Sequence, residues 1–263
     1  MAFTTVAYSM QRVGATVPLT VVTPVADPHV TIDGNNIVVP KGMNKVMGAC
    51  FAYGTGLASA APGAYLGQLQ SPSLRRVINN EAGMIADTFT HEIHDEHIQM
   101  YADSPLPLDE GEGLQAWTAH PALALGETAV YVHLCDGPAV PVTGEIRTIR
   151  FASVCAPVTR VWTLGVLTVV QQLPMGEYAV VGARVCNLTE FGAFRFIFTG
   201  YDWRPGGQMT HMLDAQDCLR QRGGRLGVWG KFDWMHLPRI EICSVLAAPV
   251  ANPTVFLDLI KTG

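Results

Sequence analysis

A chain of 263 residues is long enough for one large domain or for two of ordinary size, each able to bury its own core. Its 17 basic and 22 acidic residues leave a formal net charge of −5 with no run of Lys or Arg, which excludes the basic surface needed to wrap a nucleic-acid backbone. With 49% hydrophobic and 15% charged residues, against a usual charged share of about a quarter, either the surface is unusually bare or partners cover much of it.

The first residues lack a charged segment followed by an apolar core, and no apolar run reaches bilayer-spanning length, so the expectation is a soluble, unprocessed chain. Residues 1 to 42 alternate β-branched and turn residues: Val17, Leu19 and Val21, then Pro24 and Pro28, then Val30 to Ile32 and a turn at Asp33-Gly-Asn-Asn36 before Ile37 to Val39. Asp-Gly between apolar runs predicts a hairpin. A further strand is expected from Lys45 to Tyr53, and Gly54-x-Gly56 after it is no dinucleotide turn, because the third glycine is missing and Ala61-Pro-Gly63 would break the required helix. Gly63 to Gln70 reads as a short strand, followed by Ser71-Pro72 as N-cap and first residue of a helix carrying Leu74, Val77 and Ile78 on one face.

Between Ile85 and Tyr101 helix and strand periods compete, and strand is favoured. Asp103 to Leu125, with three prolines and the acidic Asp109-Glu-Gly-Glu-Gly113, is expected to be a long loop. A strand from Val130 to Cys135 closes the first unit, and Gly137 to Gly144 is the linker. The second unit opens near Ile146, with a β-rich run from Val161 to Val170 and a strand from Ala193 to Thr199. A helix is expected over Met209, Met212, Leu213 and Leu219, with Gly223-Gly224 as its cap. Alternation at Leu226, Val228, Phe232 and Trp234, then Pro238 to Cys243, and finally Val255 to Ile260 all predict strands.

The two units share ordered sequence matches. Val39-Pro-Lys-Gly-Met-Asn-Lys-Val-Met-Gly-Ala49 returns as Leu173-Pro-Met-Gly-Glu-Tyr-Ala-Val-Val-Gly-Ala183, so Pro40 maps to Pro174 at an offset of 134. Gly63-Ala-Tyr65 returns as Gly192-Ala-Phe194 at 129, and Ala129-Val-Tyr-Val-His-Leu134 as Thr254-Val-Phe-Leu-Asp-Leu259 at 125. Shrinking offsets in constant order are what a duplicated β-rich unit would leave as strands persist and loops change length.

No catalytic set emerges. His91-Glu-Ile-His-Asp-Glu-His97 is dense in ligand types, but Asp95 stands where the metalloprotease pattern H-E-x-x-H needs its second His, and a strand would divide the residues between two faces. The same residues lack the cupin spacing, and His211 and His236 lie far apart in the second half. No nucleophile elbow, phosphate loop or Cys/His pairing is present. The six cysteines, without C-x-x-C spacing, read as reduced, buried thiols. Asp202-Trp-Arg204 and Asp233-Trp234 put aromatics beside charges; for Trp203 an intersubunit contact, internal packing and a glycan contact stay open.

Two tandem β-rich units of this size, a helix after a middle strand, sparse charge and no catalytic set make the chain similar to the double jelly-roll major capsid proteins of tailless icosahedral bacterial and archaeal viruses. The resemblance implies an all-β fold of two jelly-roll sandwiches, residues 1–140 and 141–263. It implies a non-enzymatic structural protein of the virion, without cofactor or bound metal, assembled in the host cytoplasm. Homotrimers would act as pseudo-hexagonal capsomers, meeting neighbouring capsomers, penton or minor proteins and in some relatives an internal membrane, with no direct nucleic-acid contact. Loops such as 102–126 and 200–208 would face outward or clasp neighbours. The alternatives are a tandem jelly-roll, bicupin-like enzyme or carbohydrate-binding protein, and a phage tail or baseplate component.

Overall fold

The computed structural model describes residues 1–14, 17–54, 66–77, 98–120, 123–187, 192–211, 223–244 and 251–263. Among these the fold is all-β, with nineteen strands and a single short helix. The chain divides into a first unit, Val6–Asp136, and a second unit, Gly137–Gly263 together with Met1–Thr5.

The first unit contains most of β1 (Phe3–Gly14), then β2 (Val17–Val22), β3 (Ile32–Asp33), β4 (Asn36–Val38), β5 (Lys45–Gly54) and β6 (Leu66–Gln70). Helix α1 (Pro72–Val77) follows, then β7 (Ile98–Met100), β8 (Leu106–Pro107), β9 (Gly113–His120) and β10 (Leu123–Cys135). One sheet has the order β1-β10-β5-β7 with β8 also on β5; another has β2-β9-β4-β3 with β6 also on β9. Val6, Tyr8, Val46, Phe51, Leu114, Val130 and Val132 are among the side chains of its core. The β3–β4 hairpin turns on Gly34 at φ 59°, a value that glycine adopts without penalty. The Ser71 hydroxyl accepts from the Leu74 amide at 3.1 Å, so Ser71 caps α1 and Pro72 takes the first turn, as the sequence predicts.

The second unit holds β11 (Arg147–Val154), β12 (Thr163–Val169), β13 (Glu177–Asn187), β14 (Gly192–Ile197) and β15 (Gly206–Gln208). It is completed by β16 (Thr210–His211), β17 (Gly230–Asp233), β18 (Arg239–Ser244) and β19 (Thr254–Lys261). The order is β15-β14-β18-β12-β11-β19-β13-β16, with β17 also on β13. Pairing is antiparallel except between β13 and β16.

Three sequence expectations need correction. Residues 103–125 are not one long loop, because β8 and β9 lie inside that span and β10 begins there. Pro105, Pro107 and the acidic residues that suggest a loop lie in its first part, and Pro121 follows β9, whereas Leu114, Ala116 and Thr118 point inward in alternation from Gly113 onward. The helix expected from Met209 does not start there: Thr210–His211 is strand β16, and residues 212–220 lie outside the described residues. Strand β1, which no periodicity predicts, has Phe3 to Ser9 buried without a break, so no alternation announces it.

The two units share strand pairings and their register along several ladders. Along β5 and β10, Ala49 faces Val132 and Gly48 faces His133; Met47 is then skipped before Val46 meets Leu134. Along β13 and β19, Ala183 faces Leu257 and Gly182 faces Asp258; Val181 is then skipped before Val180 meets Leu259. The same β-bulge thus falls at the same place, and the carbonyl of each skipped residue accepts a backbone amide, Tyr101 on Met47 at 2.6 Å and Gly224 on Val181 at 2.7 Å. These registers carry the sequence offsets of 134 and 125.

The other strands agree. Val21 faces Trp117, which faces Gln68; Val166 faces Arg239, which faces Ile197. Aligning Val21 with Val166 therefore sends Gln68 to Ile197, an offset of 129, which is that of Gly63-Ala-Tyr65 and Gly192-Ala-Phe194. Leu19-x-Val21-x-Thr23-x-Val25 and Leu164-x-Val166-x-Thr168-x-Val170 then coincide, a match that becomes visible only once the strands are in register.

Candidate functional site

The charged side chains inside the second unit are paired, and their pairing is structural. Arg195 on β14 and Glu241 on β18 are direct cross-strand partners, and Arg195 Nε donates to Glu241 Oε2 at 2.6 Å. The same oxygen accepts from Arg204 Nη1 at 3.0 Å, while Arg195 Nη1 donates to the Thr5 carbonyl at 3.2 Å. The Arg195 guanidinium lies 4.1 Å from the centroid of the Trp162 ring. A second cluster joins Arg184 to Asp258, whose Oδ1 also accepts from Thr148 Oγ1 at 2.6 Å. Buried ions held this way have their hydrogen bonds met within the fold.

The reactive types are accounted for in the same manner. Cys50, Cys135, Cys155, Cys186 and Cys243 are buried, and burial pushes the Cys50 thiol up to about 12, away from the reactive thiolate. His91 to His97 and Cys218 lie outside the described residues. His236 is exposed, with its Nδ1 3.9 Å from Asp233 Oδ1. Among the described residues no group of three or more His, Cys, Asp and Glu is placed to hold a metal ion, and no helix is long and apolar enough to cross a membrane. The acidic stretch acts locally, since Glu112 Oε2 accepts from the Ser73 amide and hydroxyl, both at 3.0 Å, and so fixes the start of α1. Trp203 is engaged internally, its Nε1 donating to the Trp229 carbonyl at 3.0 Å and its ring edge-on to Tyr201.

What sequence reasoning missed is an apolar face turned to solvent. On β11 the burial alternates, Phe151 and Ser153 inward, Ala152 and Val154 outward; on β12 Leu164 and Val166 point outward around buried Gly165 and Leu167. Val154 and Val166 are cross-strand partners, 60% and 46% exposed. Leu164 and the turn residues Val158 and Val161 extend the patch, and all three are exposed as well. The charges of these two strands, Arg147 and Arg150, both lie at the opposite end of β11. Five such side chains amount to a patch on the order of a few hundred Å2, the scale at which an exposed apolar surface marks an interaction site. Leu19 and Val21, at the register positions of Leu164 and Val166, are half-buried in the first unit. The Leu-x-Val segment common to both units carries this face, but its meaning shows only once the strands are in register.

Compared with known proteins, the chain matches no family model, no curated protein and no solved structure.

Proposed function

We propose that the chain is a shell-building subunit made of two jelly rolls in tandem, a major capsid protein acting by self-assembly. Setting aside the two-residue β16, the runs β11-β19-β13-β17 and β12-β18-β14-β15 within the second unit's nine strands support this reading, because an eight-stranded jelly roll pairs its strands in the same sequence. In the first unit the pairings β1-β10-β5-β8 and β2-β9-β6 follow part of the same order and support the reading in the same way. Three such chains around an axis present six similar sides, so one gene product tiles a hexagonal lattice of an icosahedral virion.

The observation that carries the reading is the apolar face around Val154, Val166 and Leu164, built on a segment that the chain contains twice. Sparse charge supports it, because ions at a large contact must be desolvated. The role is structural: the shared bulges shape both units and the buried Arg–carboxylate clusters hold the second, while outer faces meet copies of the chain. The test is electron microscopy of the purified chain. Trimers and closed shells are expected from the native sequence, and their loss from Val154→Asp with Val166→Asp. Dispersed monomers from the native sequence under all assembly conditions would remove the reading.

A further inference from the structure

The duplication supplies an internal control for the first unit. Where register places Ile197 and Arg239 in the second unit, the first has Gln68 and Trp117. Two residues along each strand, Gln70 and Gln115 face one another, and the corresponding second-unit positions, just past the ends of β14 and β18, are Thr199 and Leu237. The fold is therefore satisfied by an aliphatic, threonine and arginine set, yet the first unit places three glutamines and a tryptophan together on the outer side of β6 and β9. None of these four is needed for the strand order.

Two of them, Gln70 and Gln115, line a groove of about 490 Å3 together with Asp33, Asn36, Ser71 and Gly113, among others. That volume falls within the range of small-ligand sites. The half-buried Trp117 lies outside the lining but holds Gln115, its Nε1 donating to Gln115 Oε1 at 3.0 Å; Gln70 Nε2 donates to Gln68 Oε1 at 2.8 Å. The amides are thus held in fixed orientations. Asn36 Nδ2 donates to the Asp33 carbonyl at 2.9 Å, and its amide rests over Gly113, where a Cβ would come within 2.6 Å of Asn36 Oδ1. A glycine at 113 therefore makes room for the amide on the groove wall.

We propose that this groove binds a neutral carbohydrate, a short oligosaccharide of the kind displayed on cell surfaces. Carboxamides offer a donor and an acceptor side by side, the pattern that matches the neighbouring hydroxyls of a sugar ring, and the adjoining indole supplies an apolar face for its C–H side. The lining contains one carboxylate, Asp33, and no Lys or Arg, which disfavours phosphorylated or acidic ligands. The inference does not rest on self-assembly, since the groove is built from the first unit alone.

The test is saturation-transfer NMR on the native protein, whatever its state of association, with N-acetyllactosamine, mannobiose, maltotriose and glucose 6-phosphate as probes. The comparison protein carries Gln70→Thr, Gln115→Leu and Trp117→Arg, residues that the second unit already holds at these places, so the fold should survive; circular dichroism checks that it does. At least one neutral oligosaccharide is expected to bind the native protein in the millimolar range, and at least tenfold more weakly after the triple substitution, with glucose 6-phosphate silent in both. Silence of all three neutral probes on the native protein, or equal binding by the folded triple variant, would overturn the proposal. A glycan preference for glucose 6-phosphate over all neutral probes would overturn it too.

Discussion

Gly182 stands in its unit where Gly48 stands in the other, each opposite a polar residue of the last strand and each next to an extra, unpaired residue. In the second unit the reason is steric. A Cβ on Gly182 would lie 2.7 Å from Asp258 Oδ2 and 3.1 Å from the Gly223 Cα, so the glycine lets the Asp258 carboxylate cross the bulge toward Arg184. Gly182→Ala should therefore lower stability by about 1–3 kcal/mol through overpacking, as measured by urea denaturation. An unchanged midpoint would show that the close approach is not restrictive.

Asp258 itself matters more. It is nearly fully buried with Arg184, and Thr148 shares the same oxygen. Asp258→Ala leaves a buried guanidinium without its counter-ion, for which a loss of about 3–5 kcal/mol is expected. Replacing Arg184 and Asp258 together by Met and Leu should recover most of it. Calorimetry on the three proteins decides, and equal losses in the single and double variants would contradict the pairing argument.

The position matching Asp258 in the first unit is His133, and it gives the chain a pH dependence. Burial holds its imidazole neutral down to about 4, below its ordinary 6.5. The unfolded chain gains a proton near 6.5 that the folded chain refuses until about 4, so this contribution is full above pH 6.5, declines as the pH falls toward 4 and is flat below. The decline is worth roughly 3 kcal/mol at most. Denaturation from pH 7 to 4 should show it in the native protein and lose that share in His133→Gln; parallel pH profiles would rule His133 out as the source.

The first residues fasten the second unit. Phe3 is buried edge-on to Trp229 with ring centroids 5.3 Å apart, and the Thr5 amide donates to the Arg204 carbonyl at 3.0 Å. Phe3→Ala should cost about 3–5 kcal/mol, and removing residues 1–5 should cost at least as much because Arg195 also loses the Thr5 carbonyl. Tryptophan fluorescence during denaturation reads both. A truncated chain as stable as the full one would show that the segment is dispensable.

Much of this was written in the chain, though unevenly. Matches such as Gly48 with Gly182 and His133 with Asp258 survive because strand register tolerates side-chain change but not displacement, and the structure places them in equivalent ladders. The Asp33-Gly-Asn-Asn36 turn and the Ser71-Pro72 helix start were legible because each depends on neighbours in sequence. Strand β1 was not, since burial on both sides erases the alternating pattern. Nor could the pairing of Arg184 with Asp258 be foreseen, because only the β13–β19 ladder brings residues so distant in sequence together. The outward Val154 and Val166 looked like ordinary strand residues until their neighbours Phe151 and Leu167 were seen to fill the inside.

Self-association through β11 and β12 is the central claim, and the mass of the native protein in solution tests it most directly. Sedimentation equilibrium across a hundredfold range of concentration should give three times the 28.4 kDa chain mass or larger assemblies of it. The same protein with Val154→Asp and Val166→Asp should fall to a folded monomer with little change in melting temperature, because both side chains are solvent-facing in the single chain. A native monomer throughout that range, or a charged variant that assembles as the native chain does, would contradict the account.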